Sequence, residues 1–172
     1  EAQADAWSKY DGEHGWLEEV SGERAMAWVR AQNARALEEL GDPSSGALYA
    51  RVLAILDSRD KIPHLSKYGD MYYNFWQDKA HPRGLWRRTT FEKYVAGGDV
   101  EWETVLDVDA LGAAEGESWV YKGHSVLEEF GDDGAPLPPT RTMMALSPGG
   151  SDAVVRREFD LVEKRFVDGG FA

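Results

Sequence analysis

Cysteine is absent from the 172 residues, which excludes disulfide bridges, thiolate zinc sites and cysteine nucleophiles. No apolar run approaches the roughly 18 residues needed to cross a bilayer, so no membrane partner is expected. The first segment, EAQADAWSKYDGEHGW, lacks the basic start and apolar middle of a signal peptide, which leaves the cytoplasm as the default compartment. Positive charge is scarce as well: 19 Lys and Arg against 31 Asp and Glu give a net charge of −12. Residues 61–98 form a basic island, with 7 basic and 3 acidic groups, but residues 99–172 carry 6 and 16. Nucleic-acid binding draws most of its affinity from neutralised phosphates, and a small island in so acidic a chain argues against such a partner. The four histidines, His14, His64, His81 and His124, lack the close pairing of a zinc helix or finger, and each reads as a loop residue. The glycine pairs lack the Lys-Ser/Thr of a phosphate loop and the spacing of a dinucleotide turn, so no cofactor is implied. Adjacent acids such as Asp107 with Asp109, or Glu128 with Glu129, read as solvated surface.

What the chain does have is 42% hydrophobic and 12% aromatic residues, enough for a sizeable core. From Ser21, SGERAMAWVRAQNARALEELGDP carries helix punctuation: Ser21 as cap, Glu23 at the positive end of the dipole, Gly41 at the C-terminus and Pro43 beyond it. Met26, Val29, Asn33, Leu37 and Leu40 keep the spacing of a buried stripe. A second helix, over about residues 45–57, is expected to bury Leu48, Val52, Ile55 and Leu56. Residues 1–63 thus read as a helical hairpin.

After Pro63 the period changes to two. Strands are expected over residues 71–77, 85–90, 102–108, 119–122, 143–146, 153–161 and 165–167, separated by turn chemistry such as KAHPRG, AGGDVE and SPGGSD. In WETVLDVDAL, Trp102, Thr104, Leu106 and Val108 alternate as one buried sheet face. The class is α+β, mainly β after residue 63, with residues 64–172 forming an antiparallel meander. About 40 to 50 residues make a four-stranded propeller blade, so the meander holds about two blades of a ring that needs at least four.

The stretch DMYYNFWQDKAHPRGLWRRTT, residues 70–90, concentrates two Trp, two Tyr, one Phe and three Arg. Trp76, Arg83, Trp86, Arg87 and Arg88 are its candidates for admitting a substrate, against the reading that they are sheet core. Arg87 and Arg88 are consecutive on a strand and point to opposite faces, which weakens any single cationic cluster.

These segments resemble one family, the N-terminal region of the prolyl oligopeptidases, serine peptidases of the S9 group. The resemblance rests on WLEEV (16–20), AWVRAQNARAL (27–37), ILDSRDKIP (55–63), YYNFWQDKAHPRGLWRRTT (72–90), WETVLDVDAL (102–111) and LSPGGSDAVVRREFDL (146–161). Residues 127–141 match less well, and Asp11-Gly12 stands where the family has Asp-Pro. In that family a helical segment packs on a C-terminal α/β-hydrolase domain, and a seven-bladed propeller restricts entry to short peptides, which are cleaved after proline. The resemblance implies that this chain corresponds to the helical segment and first blades, stops short of the hydrolase domain, and is inactive alone. Its implied partners are peptide substrates of the full-length enzyme and the absent catalytic domain.

Gly149-Gly150-Ser151-Asp152-Ala153 is similar to that family's nucleophile elbow, Gly-Gly-Ser-Asn-Gly. An elbow needs a helix after the serine, whereas β-favouring AVVRREFDL follows here and Pro148 precedes, which is hairpin chemistry. No histidine follows Ser151, although triads on the hydrolase fold run Ser, acid, His. The expectation is therefore no catalytic residue. The alternative reading is a non-catalytic interaction module that self-associates through open sheet edges.

Overall fold

In the computed structural model, which describes residues 12 and 14–171, the punctuation after Ser21 produces helix α1 (Glu23–Leu40). The cap is Gly22 rather than Ser21, without a side-chain hydrogen bond, and the Gly22 N–H is already bonded to the Glu19 carbonyl at 2.8 Å. Gly41 ends the helix at φ 80°, its N–H donating to the Leu37 carbonyl. Asp42 Oδ1 then accepts from the Ser44 N–H at 2.8 Å, opening a 3-10 turn (Pro43–Ser45) that leads into α2 (Ala47–Leu56). The expected apolar burial does not occur. Ala25 is the one buried residue among those described in α1 and α2, while Val29, Asn33, Leu37, Leu40, Val52, Ile55 and Leu56 are exposed, and Leu48 is 75% exposed. Periodicity reports which helix face is apolar, but burial also requires a partner surface.

The chain divides into two compact units between Leu53 and Ala54. The second is built from eight strands in two antiparallel four-stranded sheets. One runs β1 (Ser66–Tyr68), β2 (Met71–Trp76), β3 (Leu85–Thr90), β4 (Glu103–Asp107), and the other β5 (Trp119–Val126), β6 (Arg141–Pro148), β7 (Val155–Asp160), β8 (Arg165–Phe166). Each sheet is a meander in chain order, the construction of a propeller blade. Strand β1 is an addition to the sequence reading, as are two short helices. In α3 (Phe91–Val95) the Thr90 hydroxyl accepts from the Lys93 N–H at 3.4 Å; in α4 (Val108–Glu115) Asp107 Oδ1 accepts from the Ala110 N–H at 2.9 Å, and Gly116 closes the helix at φ 67°.

The two sheets share one core, in which Tyr73, Trp86, Val105 and Val108 meet Met144, Phe159 and Leu161. The β3–β4 register slips between Trp86, paired with Leu106, and Arg87, paired with Thr104. This bulge inserts Val105, so Val105 and Leu106 are both buried and Thr104 is exposed, which overturns the simple alternation expected of residues 102–108. Val108 does not extend the strand; it starts α4 and is fully buried there.

Candidate functional site

The structure distributes the five candidate residues over three places. On β3, Trp86 and Arg88 turn toward the second sheet. Trp86 is 1% exposed, with Tyr73 at 5.1 Å and His124 at 4.4 Å between ring centroids, so it is a core residue. Arg88 joins the blades: its Nε donates to Glu103 Oε2 at 2.6 Å, and its Nη1 donates to the Tyr73 hydroxyl at 3.3 Å and to the Leu161 carbonyl at 3.0 Å. Glu103 Oε1 also receives Lys164 Nζ at 2.8 Å. Hydrogen bonds from Arg88 and Lys164 hold the Glu103 carboxyl down at about 2.

Arg83 lies in the loop after β2. Its main-chain N–H and that of Gly84 donate to the Asp109 carboxylate at 3.0 to 3.2 Å, while its Nη2 donates to Ser118 Oγ at 2.7 Å. Gly84 is required at this turn: φ is 107°, and a Cβ would stand 2.4 Å from Phe75 Cζ.

Trp76 and Arg87 meet on the opposite face of the first sheet. The Arg87 guanidinium carbon sits 4.3 Å from the Trp76 ring centroid and 4.2 Å from that of Trp102, so the cation is sandwiched between two indoles. Arg87 Nε donates to Asn74 Oδ1 at 3.0 Å, and buried Asn74 is fixed in turn by donating to the His64 carbonyl. Trp76 is anchored by Nε1–H donating to Asp78 Oδ2 at 3.1 Å. Burial pushes the Asp78 carboxyl up, but hydrogen bonds from Trp76, His81 and Ala80 outweigh this and hold it at about 2. Burial draws Arg87 down to about 10, opposed by the charge of Asp78. Trp102, which completes the sandwich, carried no such signal in the sequence, where it read only as a strand residue.

His124 is the other departure. It lies on β5 rather than in a loop: the β5–β6 register slips at Lys122, Gly123 follows at φ 120°, and the His124 ring meets Tyr68 and Trp86 of the first sheet. Nδ1 is hydrogen-bonded to the Tyr121 hydroxyl, while Nε2 is buried with no hydrogen-bond partner among the described residues. Burial lowers the His124 pKa and raises that of Tyr121, the latter with help from Tyr68. Beside this cluster, Tyr68, Val126, Leu127, Phe130 and Leu137 line an open cleft of about 230 Å³ with Glu128 and Glu129 among its walls.

Ser151 lies in a hairpin. Gly149 and Gly150 take φ of 63° and 80°, the Ser151 N–H donates to the Pro148 carbonyl at 3.2 Å, and the chain returns as β7 alongside β6. A strand follows the serine where an elbow has a helix.

Two blades built as consecutive four-stranded meanders are matched by a family model described as the prolyl oligopeptidase N-terminal β-propeller domain, over residues 9–168. The chain belongs to this family. An uncharacterized peptidase of Sinorhizobium fredii (strain NBRC 101917 / NGR234) is 44% identical over 161 residues, covering 91% of this chain and 20% of that protein. An uncharacterized peptidase of Rickettsia prowazekii (strain Madrid E) is 31% identical over 160 residues, with the same shares. Among solved structures, a post-proline cleaving enzyme from Rickettsia typhi superposes with a TM-score of 0.76 at 29% identity, covering 94% of this chain and 22% of that one. A chain from an analysis of two prolyl endopeptidases gives 0.58 at 19% identity, a likeness of fold. The chain therefore spans about a fifth of the length of the relatives it matches. Among the described residues, no helix is long and apolar enough to cross a membrane.

Proposed function

We propose that this chain is the helical segment and first two blades of a prolyl oligopeptidase-like serine peptidase that hydrolyses short, proline-containing peptides. Its part in that reaction is to gate access and to dock on the catalytic domain, and by itself it is inactive. The observation that carries the reading is the match of the propeller family model to residues 9–168, together with relatives about five times longer that bear the name peptidase. The likeness to a post-proline cleaving enzyme supports the choice of substrate. Docking is supported by the uncovered apolar faces of α1 and α2, since exposed leucines at helical spacing are the usual mark of a surface that meets another body. Of the five gating candidates, Arg83, Trp76 and Arg87 remain in the proposal. Trp86 and Arg88 serve it indirectly, by holding the two blades together. The domain division proposed is a helical segment over residues 1–63 and propeller over 64–172, in a cytoplasmic protein.

The test is to incubate the purified chain with a proline-containing chromogenic peptide. No product should form, and addition of the remainder of the parent protein should restore turnover. Release by the chain alone, abolished by a serine-directed inhibitor, would overturn the reading.

A further inference from the structure

The guanidinium of Arg87 is held as a receptor is held. Two indole faces fix its plane, the hydrogen bond from Nε to Asn74 fixes its rotation, and Asn74 is buried and bonded to the His64 carbonyl. What is left is the edge carrying Nη1 and Nη2, for which there is no hydrogen-bond partner among the described residues. Among the described residues Arg87 forms no ion pair either. The acid whose charge reaches it, Asp78, spends Oδ2 on Trp76 and Oδ1 on Ala80 and His81. A second cation, Lys61 Nζ, stands 5.0 Å from the Trp76 centroid and donates to the Leu56 and Gln77 carbonyls.

A half-buried cation without a contacting anion has given up hydration and gained only the ring faces in return. The two free nitrogens of a planar guanidinium match the two oxygens of a carboxylate, and a fork already immobilised loses little entropy on pairing. We propose that Arg87, framed by Trp76 and Trp102, is a binding site for a single carboxylate, supplied by a peptide C-terminus or by an acidic side chain. The site goes beyond the peptidase reading and does not depend on it.

The experiment is a titration of the ¹⁵N-labelled chain with sodium acetate, following the indole N–H signals of Trp76 and Trp102 against sodium chloride at equal ionic strength. One charge-assisted bidentate pair at a water-accessible edge implies a dissociation constant on the order of 10 mM. The shifts should saturate with acetate, stay small with chloride, and weaken at least about tenfold in Arg87→Lys, which keeps the charge but loses the fork. Two short peptides identify the source: one with a free C-terminus and no acidic side chain, the other amidated and carrying one glutamate. Binding of either supports the site and names its ligand. The proposal is overturned if acetate and chloride act alike, if Arg87→Lys binds as well as the parent, or if neither peptide shifts the two signals.

Discussion

Replacing Arg88 by methionine tests whether the blades are tied together through this one side chain. Methionine keeps much of the stem's volume, so the loss is polar. The pair with Glu103 accounts for a small share, because Glu103 is 42% exposed and water screens it; about 1 kcal/mol is appropriate. The Leu161 carbonyl and the Tyr73 hydroxyl lie in the part-buried seam between sheets, and losing their shared donor costs about 2 kcal/mol more. The sum is about 3 kcal/mol, equivalent to a fall of roughly 6 to 12 °C in Tm for a chain of this length. Urea unfolding followed by tryptophan fluorescence measures it, since Trp86 lies in the same interface, and the midpoint should fall with the slope unchanged. Glu103→Gln removes the ion pairs with Arg88 and Lys164, both partly exposed, but leaves Arg88 its contacts across the seam, so it should cost about 1 kcal/mol. In the double variant the Arg88–Glu103 pair is lost only once, so the total cost should fall short of the two single costs summed. If Arg88→Met costs no more than Glu103→Gln, the seam is held by apolar contact alone and the assignment of Arg88 as an inter-blade tie is wrong.

Trp86→Ala empties the centre of the shared core and should cost about 3 to 5 kcal/mol by the same measurement. Gly84→Ala combines a left-handed backbone with a Cβ driven into the Phe75 ring and should cost at least about 2 kcal/mol, although alanine elsewhere in a loop is mild. Acid should act in two windows. The folded state keeps His124 neutral while the unfolded chain takes up its proton, so stability falls as pH drops below about 6.5, and His124→Gln should flatten that first decline. Glu103, held at about 2 against an ordinary 4.5, contributes stability that is fully present above pH 4.5 and lost as pH falls toward 2; Glu103→Gln should remove about 1 kcal/mol of that second decline. Midpoints of urea unfolding measured from pH 7 to pH 3 separate the two.

The parts of this fold that were legible from residues are those decided within a few positions of the chain. Period-two runs gave β3 at its observed ends and β2 to within one residue, and Pro148-Gly149-Gly150 gave the hairpin that disarms Ser151. Thr90 and Asp107 carried their helices' caps in plain view, but α3 and α4 are too short for periodicity to reveal. What escaped was decided by distant partners. One inserted residue, Val105, put two successive residues of β4 inside and left Thr104 outside, and nothing local to residues 102–108 marks it, since the slip exists only against β3. Strand alternation did send Arg87 and Arg88 to opposite faces, and their fates then diverged according to what met them. Arg88 found Glu103 and the Leu161 carbonyl, 15 and 73 residues away, and became a tie. Arg87 found two aromatic faces and an amide, none of which neutralises it. Two identical neighbours on one strand are thus a satisfied cation and an unsatisfied one, and it is the unsatisfied one that has affinity left to give.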